Sequence, residues 1–112
     1  MIFTHELEIK LQEQFISIWT TDSKITWSDC LALVKVKHPL STWSWYIISQ
    51  DPEDDNYLWV ITDGYEVESG SFLKCDFDDL LIDGLPFQID SNFKPINAGE
   101  LFSNLLNARK NG

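Results

Sequence analysis

Residues 43–64 read WSWYIISQDPEDDNYLWVITDG, and this stretch decides the fold. Two runs rich in aromatic and β-branched residues, 43–49 and 57–62, flank the acidic run 51–56, whose Asp, Pro and Asn residues are typical of a turn. Asp63-Gly64 then gives a strong hairpin signal. The stretch therefore predicts two antiparallel strands that are followed by a second tight turn.

Further strands are predicted on both sides of this hairpin. Residues 65–73 continue the β-rich pattern, with Gly70 as a bulge or bend. On the other side, residues 30–37 form a strand that His38-Pro39 ends, because proline lacks the donor that a ladder needs. In that strand we expect Leu31, Leu33 and Val36 to face inward.

Helices are predicted at both ends of the chain. Residues 5–19 carry an apolar stripe at helical spacing, with Thr4 as the N-cap. Near the other end, Asn97 and Glu100 form a near capping box. Residues 76–83 fit either a short helix or irregular structure, and residues 87–89 fit a short edge strand.

The fold class that follows is α+β, a four- to five-stranded antiparallel meander packed against N- and C-terminal helices. We expect a single domain over residues 1–112, since domains of about 100–150 residues are the commonest size. The terminal helices are expected to cover one face of the sheet.

Aromatic residues are abundant in this short chain. Alternation places Trp43, Trp45 and Ile47 on one face of their strand, where core packing is the favoured interpretation. The alternative is a stacking platform for bases formed with Tyr46, but that mode also needs a basic groove. Trp59 and Tyr65 are expected on the opposite face.

Charge is distributed unevenly along the sequence. The chain has 18 acidic and 8 basic residues, and its net charge is −10. Between His38 and Phe93 there are twelve acids and a single base, Lys74. Such a field repels phosphate, so we expect neither direct nucleic-acid binding nor binding to anionic membranes.

Cys30 and Cys75 are far apart in the sequence and are expected to be reduced, buried thiols. The first residues lack the apolar run of a signal peptide, and no stretch reaches the roughly 20 apolar residues of a membrane span. These observations predict a cytoplasmic protein. Because an exposed edge strand invites the pairing of two copies, we expect a monomer or a weak homodimer.

A series of short motifs runs in order through two thirds of the chain. They are Val34-Lys35-Val36-Lys37, Pro39, Trp43-Ser44-Trp45-Tyr46, the acidic turn 51–55, the hairpin 63–70, Gly84-Leu85-Pro86 and Phe93-Lys94-Pro95. Together they resemble a bacterial domain of unknown function, numbered twenty-nine fifty-eight in domain catalogues and carried on plasmids and integrative elements. The resemblance implies a compact α+β domain of mobile-element origin and no known chemistry.

The functional hypothesis rests on the carboxylates. A small acidic, non-enzymatic interaction protein would dock on a basic protein partner, and Tyr65 ringed by carboxylates would be a typical interface anchor. A sharper form is nucleic-acid mimicry, in which the partner is a nucleic-acid-binding enzyme such as a host defence nuclease. The expected partner-binding residues are Asp51, Glu53, Asp54, Asp55, Glu66, Glu68, Asp76, Asp78, Asp79 and Tyr65.

The alternative is a small carboxylate- or metal-dependent hydrolase. Glu66 and Glu68 lie two apart on a predicted strand, so they share a face about 6.7 Å apart, and Asp63 or Asp51 would complete a metal site. The acidic run at Asp51 lacks the glycine and glutamate positions of a calcium loop. We predict no catalytic residues, no resident metal and no cofactor.

Overall fold

A computed structural model describes residue 1 and residues 3–20, 22–79 and 82–111 of the chain. The fold is α+β, as predicted, and its elements follow one another in a simple order. The helices are α1 (His5–Trp19), α2 (Lys74–Asp79) and α3 (Ala98–Asn111), with a 3₁₀ turn at Trp27–Asp29. The strands are β1 (Leu31–Ala32), β2 (Val34–Lys37), β3 (Ser44–Asp51), β4 (Asp54–Asp63), β5 (Val67–Leu73), β6 (Gln88–Ile89) and β7 (Ile96–Asn97).

The main sheet has five antiparallel strands in the order β5-β4-β3-β2-β6. The meander and the edge strand near residue 88 are therefore confirmed. A separate two-stranded ladder joins β1 to β7. Two irregularities interrupt the β3–β4 ladder, one between Ile47 and Ser49 and one between Gln50 and Asp51. The prediction of a bulge at Gly70 was wrong, because that residue pairs in register with Val60.

Both faces of the sheet are covered, so the expectation of a single covered face was wrong. One cluster joins Leu11 of α1 and Phe77 of α2 to the face of the sheet that carries Trp45. The other cluster packs Ala98 and Leu101 of α3 on the opposite face. Strand β3 is consequently buried on both sides, from Ser44 to Gln50.

Local signals explain the helix ends. Thr4 Oγ1 accepts the N–H of Leu7 at 3.1 Å, as expected of an N-cap. Asn97 Oδ1 accepts the N–H of Glu100 at 2.8 Å and starts α3 in the same way. Helix α2 begins at Lys74, two residues before the ambiguous segment 76–83. Residues 80–81 of that segment lie outside the described residues.

The inward facing expected for the segment 30–37 was confirmed for Val36 and wrong for Leu31. Leu31 is 43% exposed and Leu33 is only half-buried, whereas Val34 and Val36 are buried. The reason is a break at Leu33, which separates β1, paired with β7, from β2, which belongs to the five-stranded sheet. If strict alternation of side chains is assumed to continue across this break, residues are assigned to the wrong face of the strand.

Candidate functional site

One end of the sheet gathers carboxylates from two parts of the sequence. Leu73, the last residue of β5, pairs with Tyr57 near the start of β4, so α2 begins beside the β3–β4 turn. Asn56 joins the two segments, since its Oδ1 accepts the N–H of Cys75 at 2.7 Å and its Nδ2 donates to Cys75 Sγ at 3.4 Å. We call this region the acidic end; it comprises Asp51, Glu53, Asp54, Asp55, Asp76, Asp78 and Asp79.

The turn of the acidic end is held by its own side chains. Asp51 Oδ1 accepts the N–H of Glu53 at 2.8 Å, and Asp54 Oδ1 accepts the N–H of Asn56 at 3.1 Å. Aspartate favours turns because it can hydrogen-bond the backbone two residues on. The acidic sequence therefore builds the turn as well as its charge.

A buried glutamine fixes the same turn to α1. Gln50 is fully buried, and its Nε2 donates to the carbonyl of Asp55 at 2.8 Å. Its Oε1 accepts from Gln12 Nε2 at 3.0 Å. Both polar ends of the buried amide are thus satisfied, and the turn is anchored to the helix that covers the sheet.

The acidic end retains most of its negative charge. Glu53, Asp54, Asp55 and Asp79 are exposed. Among the described residues, the one ion pair at this end joins Asp78 to the amino group of Met1. Lys74 instead places its Nζ over the ring of Phe3, 4.9 Å from the ring centroid.

Three of the expected partner-binding residues lie elsewhere. Tyr65 and Glu66 lie in the β4–β5 turn and Glu68 is the second residue of β5, at the opposite end of β4 from the acidic end. The ten residues of β4 place the two ends roughly 30 Å apart. The structure therefore brings seven of the ten residues together and separates the other three. For the same reason Asp51 cannot complete a metal site with Glu66 and Glu68.

The three separated residues form a site of their own. The prediction that both glutamates lie on one strand was wrong, because Glu66 precedes β5, but Glu66 and Glu68 line the same cavity. Its volume is about 170 Å³, and it is lined by Trp43, Thr62, Gly64, Tyr65, Glu66 and Glu68. Asp63 is unavailable as a partner for these glutamates, because its Oδ1 accepts from Arg109 Nη2 at 2.6 Å.

One group of potential metal ligands occurs within the described ranges of the chain. Cys75 Sγ and one carboxylate oxygen each of Asp76 and Asp79 all lie within 4.8 Å of one another. This spacing suits a small cation. All three residues belong to α2, and Asp76 and Asp79 are part of the acidic end.

One histidine, His38, and one cysteine, Cys30, are buried in the fold. His38 is buried, its Nδ1 accepts the N–H of Leu40 at 3.0 Å, and its Nε2 lies 2.9 Å from the carbonyl oxygen of Leu85. Both cysteines are free thiols, but the expectation that both are buried was wrong for Cys75, which is only half-buried. Burial, with a smaller contribution from Asp29, raises the pKa of Cys30.

The structure also contains an apolar cavity that the sequence did not reveal. Its volume is about 210 Å³, and its lining comprises Ile18, Trp19, Ile25, Thr26, Trp27, Ser49, Tyr57 and Trp59. The indole N–H of Trp59 is buried and has no acceptor within the described part of the chain. The lining comes from three separate stretches of sequence, so no local pattern could have identified it.

Comparisons with protein-family models, with curated proteins and with solved structures each gave no match for this chain. The resemblance to the mobile-element domain therefore stays a prediction. Among the described residues, no helix combines the length and apolar composition that crossing a bilayer requires.

Proposed function

We propose that the chain is a small non-enzymatic interaction protein that docks on a basic protein partner through its acidic end. The observation that carries this proposal is the link between Asn56 and Cys75, which sets the carboxylates of the β3–β4 turn beside those of α2. Two acidic segments that are about twenty residues apart in sequence thus form one surface.

The acidic end suits docking because its backbone is fixed. The turn is tied to α2 through Asn56 and to α1 through Gln50 and Gln12. A preorganised surface loses less conformational entropy when a partner binds than a mobile loop does. Side chains such as Glu53 and Asp55 remain exposed on this fixed backbone.

Electrostatic attraction is the mechanism that we infer. A surface of one charge accelerates encounter with an oppositely charged partner, and salt weakens the effect. In the sharper form of the proposal, these carboxylates imitate phosphates and occupy the nucleic-acid groove of an enzyme. The resemblance to a mobile-element domain supports an inhibitor of a host defence nuclease, acting in the cytoplasm.

Affinity capture with a charge-matched control tests the proposal. The test variant carries Glu53→Gln, Asp55→Asn and Asp79→Asn, three exposed residues of the acidic end. The control carries Glu6→Gln, Glu13→Gln and Glu100→Gln, which are also exposed and change the net charge equally. Circular dichroism should show that both variants are folded.

Basic proteins should be captured at low salt by the unmodified chain and the control, and lost with the test variant. Captured partners should then bind double-stranded DNA or RNA in competition with the chain if the mimicry form is correct. Equal capture by the two variants, or capture that high salt leaves unchanged, would contradict docking through the acidic end.

The hydrolase alternative has one observation in its favour, the common cavity of Glu66 and Glu68. Two carboxylates facing one cavity are the minimum for acid–base hydrolysis of a glycoside. Release of nitrophenol from a panel of nitrophenyl glycosides and esters, with and without divalent metal, tests it. Activity that Glu68→Gln abolishes would support a hydrolase site at this end of the sheet.

A further inference from the structure

The cavity beside the β4–β5 turn combines aromatic walls with negative charge. The rings of Trp43 and Tyr65 meet at 82°, with their centroids 4.9 Å apart. Glu66 and Glu68 stand at the same cavity, and both are exposed. Tyr65 is 88% exposed, which burial in the fold does not explain for so large an aromatic side chain.

The walls of this cavity are held in place before any ligand arrives. A Cβ atom on Gly64 would lie 2.8 Å from the ring of Trp43, so the ring rests directly on the turn backbone. From α3, Arg109 donates to the carbonyl oxygen of Tyr65 at 2.5 Å and also to that of Gly64. The turn is therefore clamped from both sides.

The clamping cation lies on the other face of the sheet from the cavity. Thr62 and Asp63 are successive residues of β4, so their side chains point to opposite faces. Thr62 lines the cavity, whereas Asp63 binds Arg109. Among the described residues, neither Glu66 nor Glu68 takes part in an ion pair.

The chemistry of these walls selects an organic cation. Aromatic faces attract ammonium groups, and carboxylates add to the attraction. A bare metal ion is less suited, since the two glutamates have no third His, Cys, Asp or Glu ligand close by among the described residues. The volume of about 170 Å³ lies below the range of roughly 300–1,000 Å³ for drug-sized ligands.

We propose that this cavity binds the quaternary ammonium head of a small organic cation. The aromatic rings contact the methyl groups, and Glu66 and Glu68 balance the charge. The site is separate from the acidic end, and the proposal stands without docking there.

Titration with choline chloride, followed by nitrogen–proton correlation spectra, tests the site. The indole signal of Trp43 and the amide signals of Gly64 and Glu68 should shift and saturate. Sodium chloride at equal ionic strength should leave these signals in place. So should the neutral carbon isostere of choline, in which a tert-butyl group replaces the trimethylammonium group.

Variants of the exposed walls identify the interactions. Tyr65→Ala should weaken choline binding about 5-fold or more, whereas Tyr65→Phe, which keeps the ring, should stay within about 2-fold. Glu66→Gln with Glu68→Gln should also weaken binding about 5-fold, and the charge-matched control Glu6→Gln with Glu13→Gln should not. Trimethyllysine, titrated in parallel, distinguishes a modified side chain from a free metabolite as the source of the ammonium group.

Three outcomes would overturn the proposal. The first is the absence of saturable shifts at the cavity. The second is an equal response to the neutral isostere, which would show an apolar site without cation preference. The third is equal weakening by the control pair, which would show attraction by the net charge of the chain. Loss of docking in the acidic-end variant should leave the choline titration unchanged, so the two proposals fail independently.

Discussion

The side-chain amide of Gln14 binds both backbone polar groups of Leu31. Its Oε1 accepts the N–H of Leu31 at 2.9 Å, and its Nε2 donates to the carbonyl oxygen of the same residue at 2.9 Å. The same Nε2 donates to the carbonyl oxygen of Ile48 at 2.6 Å. The glutamine therefore bridges β1 and β3 with the hydrogen bonds that a peptide group would make.

Replacing Gln14 by alanine should destabilise the protein by about 1–2 kcal/mol, because three backbone groups lose a partner and water replaces it only in part. Urea unfolding measures the change. The neighbouring substitution Glu13→Ala removes an exposed side chain of the same helix and should change the free energy of unfolding by less than about 0.5 kcal/mol. Equal effects of the two variants would show that the amide has no special role.

Two glycines give a matched pair of predictions. Gly64→Ala should cost about 1–3 kcal/mol, since the new methyl group meets the Trp43 ring at 2.8 Å. Gly70→Ala should be neutral or stabilise by about 0.5–1 kcal/mol, because no atom lies within 4 Å of the new Cβ and the unfolded chain loses freedom. Thermal unfolding of both variants measures the difference, and a reversed order would contradict the packing at the turn.

Asn56→Ala should loosen α2 from the hairpin. The substitution removes the acceptor for the Cys75 N–H and the donor to its sulfur, so the thiol should become more accessible. Alkylation with iodoacetamide, followed by peptide mapping, should show faster labelling of Cys75. Cys30 is the internal control: it is buried and its pKa is raised, so it should label slowly in both proteins. Unchanged labelling of Cys75 would contradict the link that builds the acidic end.

Stability should fall at alkaline pH, in part because of Tyr46. Burial, followed by the charge of Asp63, raises the pKa of its phenol above the ordinary value of 10.0. The unfolded chain then releases this proton at a lower pH than the folded chain, so stability decreases as pH rises above about 10. The thiol of Cys30 acts in the same direction from its ordinary value of 9.0.

Comparing how stability depends on pH in two tyrosine variants separates the contribution of the Tyr46 phenol from that of other groups. Tyr46→Phe should flatten the decline of the urea midpoint between about pH 9 and 11. Tyr65→Phe, at an exposed ring, is the control and should keep the slope of the unmodified protein. A decline that Tyr46→Phe leaves unchanged would assign the alkaline sensitivity to other groups.

Local signals predicted the fold well, and they failed where distant segments meet. The bounds of α1 followed from Thr4 and the helical periodicity, and the hairpin at Gly64 followed from its turn chemistry. The break at Leu33 was missed because the backbone of Leu31 finds its partner in Gln14, seventeen residues before it in the sequence. A pattern within one strand carries no information about such a contact.

The candidate site was predicted only in part, for a related reason. The count of acids is a property of the sequence, but their division between two ends of β4 depends on strand length and register. Glu66 and Glu68 were expected beside Asp55, and the antiparallel order places them at the far end instead. They share a cavity with Trp43, whose ring can lie against the turn because Gly64 has no side chain. This contact exists only in the folded turn, so the sequence did not predict it.

Strand β3 is covered on both faces and paired on both sides over Ser44–Ile47. Its amide hydrogens can reach solvent only when the whole domain opens, because no smaller opening exposes a central strand. Deuterium uptake at Ile47 should therefore report the global free energy of unfolding. The same opening would release the turn at Asp51 and the cavity at Trp43 together, since both lie at the ends of this strand.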